Sequence, residues 1–145
     1  MLSVFLGGTC GDSTWREELI SMLNDKIKVF NPKVKHWTEE CQIIEGEHKE
    51  KDDILLFVIT PETDNAYSIS EVTASSIAKP ESTIVCVMDN INGESFKKHE
   101  LNAWKKILAD LKKLHRAYIC KNLKEVAKEL NRRALKKAEI EEALC

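Results

Sequence analysis

Glu71 stands where a carboxylate can do chemistry. The run Tyr67-Ser68-Ile69-Ser70-Glu71-Val72 places an acidic group beside two hydroxyls, with Asp64 and Asn65 just before it. The cluster follows an apolar run, Ile54-Leu55-Leu56-Phe57-Val58-Ile59, that emerges from Asp52-Asp53 and ends at Thr60-Pro61. In an open α/β sheet, ligands bind at the edge where strands exit, so Glu71 is the lead candidate for chemistry on a bound polar ligand. A plainer reading makes Ser68 and Ser70 helix caps and Glu71 a first-turn carboxylate, stabilised by the helix dipole by about 0.3 to 1 kcal/mol. The cluster holds more polar groups than a cap requires, which favours function.

A second candidate is Gly7-Gly8-Thr9-Cys10-Gly11-Asp12, between the first strand-like run and a helix. Glycines let backbone approach a ligand closely, and free amides at a helix start favour an anion or a polar base edge. The run fits neither G-x-G-x-x-G nor a Walker loop, which argues against a dinucleotide-fold dehydrogenase or an NTPase. Its plainer reading is a tight turn. Trp15-Arg16 follows at the helix entrance, where tryptophan could stack on a planar base and arginine could pair with phosphate or orient a carboxylate. Helical spacing with Leu19 and Met22 favours a core role for Trp15 and leaves Arg16 open.

Other chemistries find little support. His36, His48, His99 and His115 lack the i, i+4 metal pattern, and no serine or cysteine stands in a nucleophile elbow. Neither a metal nor a cofactor is implied. Five cysteines, an odd number without zinc-ligand spacing, read as reduced cytosolic thiols. Cys10 near the glycine loop has no histidine partner to activate it.

Strand-like and helix-like runs alternate five times, the pattern of a parallel sheet with helices on both faces. The spacing predicts strands at Leu2 to Gly8, Lys28 to Phe30, Ile54 to Ile59, Thr83 to Met88 and His115 to Cys120. Six consecutive apolar residues mark the third as central and doubly buried. Helices are expected from Ser13 or Thr14 to Asn24 with a capping box to Glu17, and over 37–51 with Trp37, Cys41 and Ile44 buried. Further helices are expected from Ser70 to Ala78, from Ser95 to Leu114, and after Asn122. The fold class is α/β, a flavodoxin-like three-layer sandwich with a five-stranded parallel sheet of order 2-1-3-4-5. In that order the loops after Leu6 and Ile59 meet.

At 145 residues the chain fits a single domain, 1–145, whose charged helix beyond about 131 projects or packs on a second subunit. Lys plus Arg number 22 against 24 Asp plus Glu, and the net charge of −2 gives no pull toward nucleic acid or anionic membrane. Glutamates interleave the lysines of the last two helices, so those are solvated faces. No stretch is long and apolar enough for a membrane span, and no basic n-region precedes Leu2; a soluble, cytoplasmic protein is expected.

With these residues in view, the chain resembles the nucleoside 2-deoxyribosyltransferase-like family. The resemblance rests on Val4-Phe5-Leu6-Gly7-Gly8-Thr9 with Trp15-Arg16, on Phe30-Asn31-Pro32, on Asp53 to Pro61, and on Ser68-Ile69-Ser70-Glu71. It covers about residues 1 to 90. It implies a flavodoxin-like fold and cleavage of an N-glycosidic bond in a 2′-deoxynucleoside or its monophosphate, with Glu71 as nucleophile. Asp64, Asn65 and Ser68 map onto groups holding the sugar and the nucleophile, and the glycine loop and Trp15 onto the nucleobase pocket. Met88, Asp89 and Asn90 map onto residues by which a neighbouring subunit completes the site, which implies a homo-oligomer. Asp64 or Asp12 is the candidate acid for the departing base. Thr73 stands where the family pattern has glycine, and is expected to narrow the site or change its substrate. Alternatives are a nicotinamide ribosyl hydrolase acting on NAD and a non-catalytic nucleotide-binding module.

Overall fold

The computed structural model describes residues 1–145. Along the chain run β1 (Leu2–Gly8), α1 (Trp15–Ile20), β2 (Ile27–Phe30), α2 (Glu39–Lys51), β3 (Ile54–Ile59), α3 (Ala66–Ala78) and β4 (Thr83–Val87). There follow β5 (Asn90–Ile91), β6 (Glu94–Ser95), α4 (Lys98–Lys113), β7 (Tyr118–Cys120) and α5 (Leu123–Leu144). Five strands pair in parallel in the order β2-β1-β3-β4-β7, and β5 and β6 form a separate hairpin. Counting only the strands of the main sheet, this is the expected order 2-1-3-4-5, in a flavodoxin-like sandwich.

The alternation of side chains along each strand builds the layers. Val4, Leu6, Ile54, Leu56, Val58, Ile84 and Cys86 face one side, where Trp15 and Leu19 of α1 and Leu123, Val126 and Leu130 of α5 cover them. Phe5, Leu55, Phe57, Ile59, Val85 and Val87 face the other, against Val72 of α3 and Trp104 of α4. All six residues of β3 are buried, so the strand feeds both cores; each large side chain there stabilises by about 1.5 to 3 kcal/mol. Cys86 and Cys120 are register partners on β4 and β7. Burial pushes both thiols up to about 12.

Local physics shifts several boundaries. Helix α1 is short and has no capping box: Thr14 makes no side-chain cap, and the neighbouring Ser13 hydroxyl donates to Glu62 Oε1 at 2.5 Å. Helix α2 begins at Glu39, capped by Thr38, and has no buried residue. The expected buried line fails there: Trp37 is 58 % exposed and Ile44 46 %. What holds α2 is polar and aromatic, with the His48 ring stacked on Phe30 at 3.7 Å and paired with Asp52. Helix α3 starts at Ala66, four residues early, because Asp64 Oδ1 accepts the Ala66 N–H at 2.9 Å and opens the first turn. Proline at 80 ends it, through a 3₁₀ turn. Strand β7 starts late, since His115 has φ 54° at the end of α4.

The β5–β6 hairpin was not anticipated, although Asn92-Gly93 carries its signal. Their φ values of 51° and 79° are those a two-residue type I′ turn demands.

Helix α5 is capped by Asn122, whose side chain accepts from Glu125 N–H at 2.9 Å. It continues without a break to Leu144, with Ala134 buried. Past Asn131, Lys137 Nζ donates to Asp53 Oδ2 at 2.8 Å and to the Met1 carbonyl at 2.9 Å. Ser3 N–H donates to the same Asp53 oxygen at 2.9 Å. Burial would raise the Asp53 pKa, but the bonds from Lys137 and Ser3 outweigh it and hold the carboxyl below its ordinary value.

A depressed carboxyl contributes stability above its unfolded pKa and loses it as pH falls through the folded one. Asp53→Asn should therefore destabilise by about 1 kcal/mol at pH 7, allowing for solvent screening. The gap from wild type should begin to narrow below about pH 4 and close once the pH is under the depressed folded pKa, as read by urea unfolding across pH.

Candidate active site

Strands β1 and β3 leave the sheet side by side, and the loops beyond them are bonded into one floor. Gly8 pairs with Val58 in register, at φ 110°, and a Cβ there would lie 2.0 Å from the Val58 carbonyl oxygen. Only glycine fits. One residue on, the Thr60 N–H donates to Thr9 Oγ1 at 2.8 Å, and Thr9 Oγ1 donates to Asn65 Oδ1 at 2.9 Å. Asn65 Nδ2 completes the knot by donating to the Thr60 and Thr63 carbonyls at 2.8 and 3.0 Å. All of Thr9, Thr60 and Asn65 are buried.

Beneath this floor lie Trp15 and Arg16. The Trp15 indole N–H and Arg16 Nη1 both donate to the Thr9 carbonyl, at 2.8 and 2.7 Å, and Arg16 Nε and Nη2 reach the Leu6 carbonyl at 3.2 and 3.0 Å. The guanidinium also stacks over Trp15 at 4.4 Å and approaches Cys10 Sγ at 3.7 Å. Burial presses the Arg16 pKa down, while Cys10, Glu17 and Glu71 oppose it.

Above the floor opens a cleft of about 650 Å³, within the range of small-molecule sites. It gathers Gly7, Gly8, Thr9, Arg16, Asp64, Asn65, Ser68 and Glu71 from the sequence candidates. Because α3 begins at Ala66, Glu71 lies in its second turn, beyond the capping positions. The Glu71 side chain is 10 % exposed, and its Oε2 lies 2.6 Å from Lys49 Nζ.

A family model described as nucleoside 2-deoxyribosyltransferase like matches residues 1–91, a stretch that includes the whole of this cleft. The chain belongs to the nucleoside 2-deoxyribosyltransferase-like family. No individual curated protein is a significant match to it.

Other expected site residues of this nucleoside 2-deoxyribosyltransferase-like protein lie elsewhere. Trp15 is fully buried and does not line the cleft. Asp12 is exposed in a turn outside it, and the Ser70 hydroxyl donates to the Tyr67 carbonyl and faces a neighbouring hollow of about 590 Å³. Met88 packs half-buried against the core, with Asp89 and Asn90 exposed after β4, and none of the three borders the cleft. Thr73 is exposed and donates to the Ile69 carbonyl at 2.7 Å, away from the cleft, so it does not narrow the site.

Several cleft residues of the family member were missed. Trp37 and Val34 stand exposed at the rim beside Lys33, Tyr67 flanks Glu71, and Glu45 enters from α2. The sequence signal for Trp37 points the other way, since its spacing to Cys41 and Ile44 imitates a buried helical stripe. No three His, Cys, Asp or Glu side chains gather as a metal site.

Thr9→Val should destabilise by about 1 to 3 kcal/mol, because it strands the buried Thr60 N–H, whereas Thr9→Ser should keep most of the stability. Urea midpoints of the two variants check this. Gly8→Ala should leave little soluble folded protein, as read by circular dichroism of whatever is recovered.

Proposed function

We propose that this protein cleaves the N-glycosidic bond of a 2′-deoxynucleoside or its monophosphate, with Glu71 as nucleophile. The observation that carries the reading is Glu71 itself, a carboxylate past the capping turn of α3 that lines the cleft with the glycine loop and Asp64. Family membership supports glycosyl transfer as the general chemistry.

In this mechanism a Glu71 oxygen bonds to C1′ as the C1′–N bond breaks, through an oxocarbenium-like transition state. The electron pair leaves with the base nitrogen, which takes a proton from Asp64. Asp64 is suited to relay protons from solvent, since it is exposed at the cleft and engages the backbone through Oδ1 alone. Water, or a second nucleobase, then attacks C1′ and frees Glu71, giving hydrolysis or transfer. Ser68 holds the sugar over the floor that Asn65 braces, and Trp37, an exposed indole at the rim, stacks on the base.

Met88, Asp89 and Asn90, which do not line their own cleft, would complete that of a neighbouring subunit in a homo-oligomer. All five cysteines are free, as suits the reducing cytoplasm.

Incubation with deoxynucleosides and their monophosphates, followed by chromatography, should reveal free base. Glu71→Ala should reduce release by about a thousandfold or more; unchanged release in that variant would remove its role. Release from NAD alone would mark a nicotinamide ribosyl hydrolase, and calorimetric binding without release a sequestering module. Trp37→Ala should raise KM about tenfold, the loss of one stacking contact, with kcat little changed.

A further inference from the structure

Glu71 is one member of a three-residue relay that crosses from α3 to α2. Lys49 Nζ lies 2.6 Å from Glu71 Oε2 and 3.3 Å from Glu45 Oε1. The exposures of Lys49, Glu71 and Glu45 are 27, 10 and 15 %, so water screens this charge chain weakly. Glu45 and Lys49 stand one helical turn apart, the spacing that puts two side chains on one face. Helix α2 buries no residue, and this ionic face is part of what fastens it to the domain.

The relay is also oriented with respect to the cleft. Both glutamates line the 650 Å³ cleft, whereas Lys49 lines the adjoining hollow, which shares Glu71 and Tyr67 with it. Lys49 therefore reaches Glu71 from the hollow rather than from the cleft. Its contact is an ion pair with Oε2, at 2.6 Å. A carboxylate that attacks carbon must offer one oxygen in a fixed direction, and a close ion pair to the other oxygen restricts how the carboxylate can turn.

The geometry points to Lys49 as a positioning residue: its ammonium, steadied by Glu45, fixes Glu71 Oε2 and leaves Oε1 to meet the sugar. The inference rests on Glu71 being the nucleophile. It also serves the second half of the reaction. When the C1′–O bond of the glycosyl ester breaks, its electron pair returns to the Glu71 carboxylate, and the ammonium is in place to stabilise it.

The charged state of Lys49 fits this role. Burial alone would lower its pKa, but the hydrogen bond and charge of Glu71, then the charges of Glu45 and Tyr67, outweigh burial and hold it above the ordinary value. The groups facing the ammonium are Glu71 and Tyr67 from α3, Glu45 from its own helix, and the Phe5 ring of β1 at 5.6 Å. Lys79, at the end of α3, donates to the carbonyls of Lys49 and Glu50 and so braces the same turn of α2.

The test compares Lys49→Met, Lys49→Arg and Glu71→Gln with wild type in the full chain. Steady-state base release is read alongside thermal unfolding and the NMR titration of the Lys49 ammonium. Lys49→Met should lower kcat about a hundredfold with KM within about twofold, as misorientation does, and Lys49→Arg should recover at least about a tenth of the rate. In Glu71→Gln the Lys49 ammonium should titrate at lower pH than in wild type, because burial is then less opposed. An unchanged kcat in Lys49→Met, a loss confined to KM or melting temperature, or an identical Lys49 titration in Glu71→Gln overturns the assignment. A wild type that releases no base, yet whose Lys49 titration falls in Glu71→Gln, removes the nucleophile and keeps the pairing. A wild type silenced by Glu71→Ala but indifferent to Lys49→Met does the reverse.

Discussion

Parallel neighbours that leave a sheet at the same edge present a backbone problem, because their last amides and carbonyls run out of ladder partners in a buried place. Here β1 and β3 solve it with one close approach and one side chain. Gly8 runs so near Val58 that no Cβ could intervene, and the Thr9 N–H still reaches the Val58 carbonyl at 2.9 Å. The Thr9 hydroxyl then takes the Thr60 N–H and passes the connection to Asn65. The placing of Glu71 hangs from this junction, since Asn65 stands directly before α3 and α3 carries Glu71.

Arg16 belongs to the same constraint seen from below. A guanidinium 1 % exposed would ordinarily be matched by a carboxylate. Arg16 instead rests on the carbonyls of Leu6 and Thr9, at the end of β1 and just beyond it. The arrangement satisfies strand ends and places a fixed positive charge under the cleft floor. Lys49 differs in kind. It is shared between two carboxylates on two helices, so it links elements that the sheet does not join.

Much of this was legible in the residues. Six successive apolar positions from Ile54 to Ile59 admit burial on both faces and little else, and that strand sets the sheet order and the edge where a site belongs. The cluster from Asp64 to Glu71 was readable because polar side chains there exceed what a helix start needs. Less legible was anything decided across elements. Trp15 carries both a stacking surface and helical core spacing, and only the indole N–H bond to the Thr9 carbonyl decides between them. The start of α3 turned on one Asp64 contact, which moved Glu71 from the cap into the second turn. Helix α2 misled because its few apolar residues imitate a buried stripe, whereas a four-residue edge strand offers them nothing to cover.

The paired thiols of β4 and β7 have a use of their own. Cys86 and Cys120 sit opposite each other inside the core, both kept protonated by burial, whereas Cys10 and Cys145 are exposed. An alkylating reagent therefore meets graded populations, with Cys41 half-buried between the two extremes. The outer sulfurs react first, and the inner pair only in molecules whose far sheet edge has parted. The chain thus carries a built-in chemical clock for opening of the β4–β7 edge, which needs no label and no substitution to read.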